Sequence, residues 1–181
     1  MASWSQVARR IRVPLGFAFA VVYFWLARPT ALSIVAGACI TALGLVLRAI
    51  ASGHVQKNEQ LATSGPYAYL RNPLYLGSLI IGGGFALAGR NWWIVAGIAL
   101  IFAVVYFPVI RSEEAFLKAK FPEFEEYARQ VPRLLPRLTA FGAAHGSFSW
   151  RLYWQHREYN SALGAALMIA ALVAKAVFLQ R

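Results

Sequence analysis

Five long apolar blocks govern what this chain can fold into. Val13–Ala27, Ala31–Ala51, Leu74–Gly89, Trp92–Ile110 and Ser161–Leu179 contain 15, 21, 16, 19 and 19 residues. A bilayer core of about 30 Å needs roughly 20 helical residues to cross it. The second, fourth and fifth blocks meet that length directly, and the first and third reach it by adding a turn from their flanks, such as Ile11 and Arg12. The expected fold is therefore all-α, a polytopic membrane helix bundle of about five transmembrane helices. The third block carries Gly77, Gly82, Gly83 and Gly84. In a bilayer such small residues let neighbouring helices approach closely, so this block is expected to pack tightly.

Composition agrees. With 59% hydrophobic residues and 14% charged residues, the chain lacks the polar surface a soluble domain of its size needs. Its 26 aromatic residues argue equally against disorder. The net charge of +11 reads as loop asymmetry and not as a nucleic-acid footprint. With the N-terminus placed in the cytoplasm, 14 of the 18 basic residues fall inside, leaving Arg28, Arg90, Lys175 and Arg181 at or near the other side. The expected location is thus the inner or plasma membrane, with the functional face in the cytoplasm. The basic start and Ala18–Ala20 also have the form of a signal peptide, but four further blocks favour a retained anchor. Cys39 is expected to be an inert apolar side chain within the second span, and no metal site is expected. Lys175, within the fifth block, is expected to snorkel outwards with no site role.

Polar residues gather on one side of this bundle. Pro29-Thr30 and Arg90-Asn91 are the short connections, so spans one and two, and three and four, should be antiparallel hairpins. Ser52–Pro73 and Arg111–Asn160 hold the remaining polar sequence. The chain is read as one domain over 1–181, with a motif region at 60–136 and a C-terminal aromatic segment plus last helix at 147–181.

The first informative stretch runs from Leu61 to Gly77. Ser64-Gly65-Pro66 is a turn signal, and Asn72-Pro73 reads as N-cap and first residue of the third span. Tyr67, Tyr69 and Tyr75 offer flat faces and hydroxyls beside Arg71, a mixture able to hold a purine and a carboxylate. The bland alternative is an interfacial tyrosine belt with a snorkelling arginine. The second stretch is Arg111–Tyr127, where Glu113 and Glu114 stand at the exit of a helix that continues past Pro108. Adjacent helical residues diverge by about 100°, so the expectation is that Glu113 faces inwards and Glu114 pairs with Lys118 in water. Phe121, Phe124 and Tyr127 form a stripe that either closes a pocket or simply packs. His54, Lys57, Asn58 and Glu59 make a polar cluster readable as substrate recognition or as a solvated loop.

The series GPYxYxRxPxYxG, RxEE, KFxxxExY and PRxxP between Gln60 and Pro136 resembles the isoprenylcysteine carboxyl methyltransferase family, whose wider group includes phospholipid N-methyltransferases. The resemblance implies methyl transfer from S-adenosyl-L-methionine, with the cofactor at the cytoplasmic membrane face. It implies cofactor binding by Arg71, Asn72, Pro73, Tyr75, Gly77, Glu113 and Glu114, to which the tyrosine reading above adds Tyr67. Two positions depart from the family. Asn72 replaces a histidine, which leaves hydrogen bonding and removes titration near neutral pH. Phe121-Pro122 replaces Phe-Gly, where Pro122 is expected to open the first turn of a new helix.

Methyl transfer of this kind depends on holding two reactants about 3–3.5 Å apart in a water-poor pocket. A carboxylate acceptor needs a cation, for which Arg111 is the candidate catalytic residue; an amine acceptor would need to lose a proton instead. The favoured partner is a lipophilic acceptor among the membrane lipids, O-methylated on a carboxylate. Alternatives are phospholipid amine N-methylation, a sterol-reductase-like NADPH enzyme, and a non-catalytic lipid-binding protein. Trp150 and Trp154, set among Arg151, His156 and Arg157, are read either as a headgroup anchor or as the entrance for a lipid substrate. No nucleic-acid partner is expected, and the oligomeric state is open.

Overall fold

The computed structural model describes residues 4–56, 59–142 and 146–179. All regular structure among these residues is helical: α1 (Trp4–Leu26), α2 (Ala31–Ser52), a 3-10 turn (Gly65–Ala68), α3 (Pro73–Gly89), α4 (Trp92–Ile101), α5 (Phe107–Lys120), α6 (Phe124–Gln130), α7 (Trp150–Gln155) and α8 (Tyr159–Leu179). Each apolar block forms one helix or the greater part of one. Three rods are long and apolar enough to cross a membrane: Ala31–Ser52, Trp92–Lys120 and Tyr159–Phe178. Pro14–Leu26 and Pro73–Gly89 are shorter apolar helices. Five apolar helices form where five transmembrane helices were expected, and three of them have spanning length.

The rod Trp92–Lys120 is continuous because residues 102–106 wind as a π turn, in which Phe107 N–H reaches back to Phe102 O. Such turns insert one extra residue and rotate everything beyond them. Pro108 lies inside this rod directly after the π turn; it has no N–H to give the Val104 carbonyl, to which Trp4 Nε1–H donates at 3.1 Å.

The two expected hairpins form and are tied to each other at one end of the bundle. Thr30 caps α2 in a reciprocal capping box with Ser33, whose hydroxyl also donates to Ala88 O at 3.1 Å. Arg90 adopts a left-handed backbone with φ 48°, which ends α3, and Asn91 caps α4. The Asn91 amide donates to Leu26 O at 2.9 Å, and Arg28 N–H donates to Gly89 O at 2.8 Å. Around this end Tyr23, Ile34, Ala88, Ile94 and Leu172, with Ala27 and Ala176, form a buried core from five helices. Lys175 donates to the carbonyls of Phe24 and Trp25, so it caps the end of α1 instead of simply snorkelling.

At the other end, residues 132–141 are stitched to the segment before α3. Arg71 N–H donates to Pro132 O, Arg137 N–H to Tyr69 O and Phe141 N–H to Ala68 O, each at about 3 Å. Gly65 supplies the left-handed turn there with φ 56°. Phe121, Phe124, Tyr127 and Val131 are buried against Leu61, Leu117 and Phe141, so the aromatic stripe is core packing. Pro122 lies in a turn ahead of α6, whose first residue is Phe124, not within its first turn. Cys39 is exposed on α2.

Candidate active site

The glutamate pair on α5 organises the polar end of the bundle, in a way the expected pairing does not describe. Glu114 is buried and accepts from Arg133 at 2.7–3.1 Å and from the Asn72 amide at 2.9 Å, with the Arg71 guanidinium 3.5 Å away. Lys118 pairs instead with Glu125, at 2.7 Å on the surface. The outward, Lys118-paired Glu114 is thus corrected: the interior guanidiniums and amide offer a charge-assisted partner set that one exposed lysine cannot match. Glu113 is half-buried, and its carboxylate accepts from the Tyr75 hydroxyl at 2.9 Å. Both carboxylates therefore engage interior groups, on different faces of α5.

Asn72 does not cap α3 with its side chain. Its amide bridges Glu114 and Arg133 O (3.2 Å), while its backbone carbonyl accepts from Tyr75 and Leu76 N–H. Pro73 takes the first helical position, as its fixed φ favours. Arg71 is held beside Glu114, yet its Nε is buried without a hydrogen-bond partner among the described residues. Tyr67 is buried, and its carbonyl accepts from the Tyr127 hydroxyl at 2.8 Å. Burial pushes the hydroxyls of Tyr67 and Tyr127 well above the ordinary tyrosine range. The Glu114 carboxylate raises the Arg133 guanidinium further. This knot of charge is fastened from the segment before α3, from α5 and from the 132–141 segment together.

Beside it lies a cavity of about 660 Å³ between α1, α3, α8 and the α4–α5 rod. Its walls change character along their length. Tyr75, Ser78, Tyr106, Glu113, Arg48 and Glu158 line one end; Phe19, Tyr23, Phe85, Ile98 and Met168 line the other. Tyr75 also packs edge-on against Tyr106, which itself stacks on Phe102, so the π turn helps place an aromatic wall. Arg48 makes five hydrogen bonds. Its Nε and Nη2 grip Glu158 at 2.8–3.0 Å, and its Nη1 reaches Ser78 Oγ (2.7 Å) and Leu74 O (3.1 Å).

Of the residues singled out from sequence, Tyr75 and Glu113 line this cavity. Tyr67, Arg71, Asn72, Pro73 and Glu114 stand outside its lining, in the adjoining segment and charge knot. Gly77 packs against α2, where an added Cβ would lie 2.5 Å from Arg48 Cγ. Arg111 is exposed with its guanidinium over the Phe107 ring, away from the cavity lining. Trp150 and Trp154 are exposed on α7 and contact neighbouring aromatic rings, also outside the lining. His54 faces Ile50 O and Gly146 O; Glu59 is exposed, and Lys57 and Asn58 lie outside the described residues.

Three residues that the structure brings to this region carry no role in the sequence reading: Arg48, Glu158 and Arg133. A lone arginine near the end of an otherwise apolar helix was the available signal, because a charge so placed needs a partner. Its partner stands 110 positions away, beyond the reach of local spacing.

A family model described as phospholipid methyltransferase matches residues 26–123. That stretch contains the packed pair α2 and α3, Tyr75 and both glutamates. The cobalt-zinc-cadmium resistance protein CzcN of Cupriavidus metallidurans is 39% identical over 107 residues, covering 59% of this chain and 48% of that protein. The nickel-cobalt-cadmium resistance protein NccN of Alcaligenes xylosoxydans xylosoxydans is 41% identical over 86 residues, covering 48% and 40%. The chain thus spans about half the length, or less, of these curated relatives. No solved structure matches it. With more than half of its residues within the family match and three helices of membrane-spanning length, this integral membrane chain belongs to the phospholipid methyltransferase family.

Proposed function

We propose that this protein transfers a methyl group from S-adenosyl-L-methionine to a lipophilic acceptor drawn from the membrane. The observation that carries this reading is the cavity that joins the Tyr75–Glu113 pair to walls of Phe19, Phe85, Ile98 and Met168. A polar acceptor head and an apolar tail fit those two ends respectively. The residues present also fit the cofactor. Glu113 sets a carboxylate in the cavity for a cationic centre, and Arg71 brings a buried Nε–H with no partner among the described residues, the kind of donor a ligand carboxylate takes. When bound, S-adenosyl-L-methionine supplies an electrophilic methyl group on a sulfonium.

The chain's own part is positioning and exclusion of water. The Glu113 carboxylate is oriented by the Tyr75 hydroxyl, and the Arg48–Glu158 pair fixes the polar wall. The aromatic and aliphatic walls keep water from competing with the acceptor.

O-methylation of a carboxylate needs a cation at the acceptor, and Arg111 lies away from the cavity lining. Amine N-methylation is the second reading, favoured by Glu113 on the cavity wall while Arg48 is already bonded to Glu158, Ser78 and Leu74 O. There Glu113 attracts the ammonium and takes its proton before attack.

The names of the two relatives connect those proteins with metal resistance and name no acceptor. Isothermal titration of detergent-purified protein with S-adenosylmethionine and S-adenosylhomocysteine tests the first step; radiolabelled methyl transfer into a total lipid extract tests the second. Alkaline release of the label as methanol identifies an ester, and a base-stable label identifies a methylamine. Absence of cofactor binding in folded protein overturns the proposal.

A further inference from the structure

The rod Trp92–Lys120 is longer than the layer it crosses. Its 29 residues extend about 43 Å as a helix, against a hydrocarbon core of about 30 Å. Trp92 and Trp93 are exposed at its start, where tryptophan favours the edge of a bilayer. Arg111 follows Trp92 by roughly 28 Å of helix, which sets it at the opposite edge of the hydrocarbon. Two guanidiniums meet one ring there. Arg111 and Arg133 each hold Cζ 5.8 Å from the centre of the Phe107 ring, which is itself partly exposed. Val104 and Leu100 continue this exposed apolar surface along the rod. Close to Arg133 in the chain, Leu135 is 77% and Leu138 is 100% exposed. The segment that carries them is fixed by its backbone bonds to residues 68–71. Leucines presented in this way between Arg133 and Arg137 suit the boundary of headgroups and acyl chains better than water.

Charge at this spot is unbalanced. Arg71 and Arg133 share the Glu114 carboxylate, while Glu113 is turned to the Tyr75 hydroxyl and the cavity. Arg133 gives Nε and Nη2 to Glu114, and its Nη1 makes no hydrogen bond among the described residues. Arg111 makes no ion pair among them and rests on Phe107 alone. Positive charge at the edge of hydrocarbon is costly unless an anion attends it. We infer that Arg111 and Arg133 hold the phosphate of an anionic phospholipid, whose acyl chains lie outside the bundle along Phe107, Val104 and Leu100. Guanidinium forks match phosphate oxygens, and stacking on a ring keeps such a fork ready in place. The excess of guanidinium over carboxylate selects among headgroups. An ethanolamine or choline head brings its own cation beside the phosphate, whereas a glycerol head brings none. Arg133 would then be held by Glu114 on one side and by lipid on the other, which clamps residues 132–141 onto α5. This lipid stays on the outer surface and is not the acceptor in the cavity, so the inference stands whether or not the protein transfers methyl groups.

The test titrates the detergent-purified full chain with dioleoylphosphatidylglycerol or dioleoylphosphatidylethanolamine and counts bound lipid by native mass spectrometry. The tails are identical, so a difference belongs to the head. Phosphatidylglycerol is expected to bind about tenfold more tightly, and Arg111→Gln should lower its affinity roughly five- to tenfold while hardly changing that of phosphatidylethanolamine. Arg129→Gln removes the same charge from the exposed side of α6 and should change neither. Phosphatidylglycerol should also raise the unfolding temperature of the unaltered protein and not that of Arg111→Gln. Should Arg111→Gln fail to fold, the unaltered protein decides: its affinity for phosphatidylglycerol must fall several-fold between about 0.05 and 0.3 M salt, as screening requires. Equal affinity for the two lipids, or equal losses in the two glutamine variants, overturns the site, and so does an affinity indifferent to salt. sn-Glycerol 3-phosphate at the same concentration should not displace the lipid. Displacement would mean a site for soluble phosphate and would overturn the lipid assignment.

Discussion

Glycine does opposite work on the two sides of this bundle. Along the α2–α3 seam a Cβ on Gly37 would lie 2.5 Å from Gly84 O, one on Gly44 would lie 2.7 Å from Gly77 O, and one on Gly84 would lie 2.4 Å from Thr41 Oγ1. These glycines remove side chains so that two backbones can touch. In a bilayer, where burial from water drives little association between helices, such contact is a main source of helix pairing. Between α1 and α8, Gly16 and Gly164 line the cavity, and a Cβ added to either meets nothing within 4 Å, so these glycines leave room. One side of the molecule is therefore sealed, and it carries the Asn72–Glu114–Arg133 knot at its polar end; the other is open, with Glu113 looking into the cavity. A helical glycine is the same letter in both places, and only the distance to the facing helix distinguishes a seam from an opening.

The largest expected effect lies on the sealed side. Glu114→Ala leaves the Arg71 and Arg133 guanidiniums without their shared carboxylate and strips the Asn72 amide of an acceptor. Breaking a buried ion pair costs about 3–5 kcal/mol, and the lower end applies because Arg133 keeps partial access to water. Thermal unfolding in detergent should fall steeply, and full stability in this variant would show that the knot is ornamental. Glu113→Gln is expected to leave stability nearly unchanged and to weaken S-adenosylhomocysteine binding. Loss of a charge-assisted acceptor is worth about 1.5–3 kcal/mol, or roughly 10- to 150-fold in affinity. If the two variants traded effects, the sealed and open assignments of the glutamates would be reversed.

The apolar helices, their hairpin connections and the Gly65 turn were legible because each has a local cause: block length, a two-residue connection, or a residue that alone tolerates the backbone. Glu113 was expected to face inwards because Glu114 was paired with Lys118; the structure puts Glu113 on the cavity wall, but that pairing is not made. Glu114 itself was not legible. Its spacing to Lys118 is right for a helical pair, but its partners come from 42 and 19 positions away, and the π turn at 102–106 shifts the phase of everything after it. Arg111 illustrates the same limit. Its place before the glutamates suggested a cation at the site, yet the structure sets its guanidinium over Phe107. Arg48 and Glu158 could be noticed singly as polar residues near helix ends, but nothing local joins them.

Gly84→Ala comes next in size. Its new methyl group meets Thr41 Oγ1, Gly37 O and Thr41 N, two of them backbone atoms that cannot swing aside. Overpacking of this kind costs about 1–3 kcal/mol, and it should lower the unfolding temperature while leaving the shape of the cavity end intact.

The smallest effect is the sharpest probe of the contrast, because it uses the neighbouring residue. Gly83 precedes Gly84 on the same helix, yet a Cβ there meets nothing within 4 Å. Gly83→Ala therefore introduces no contact to resist it, and it removes backbone freedom from the unfolded chain that glycine would otherwise retain. Where the native backbone is already helical, that change stabilises by about 0.4–1 kcal/mol. The two variants differ by one position and are identical in chemistry, so helix propensity, expression and detergent act on both alike. Opposite signs in their unfolding temperatures measure the seam itself. Equal shifts would mean that α3 does not press against α2 at the distance seen here, and the distinction between a sealed and an open side would fall with it.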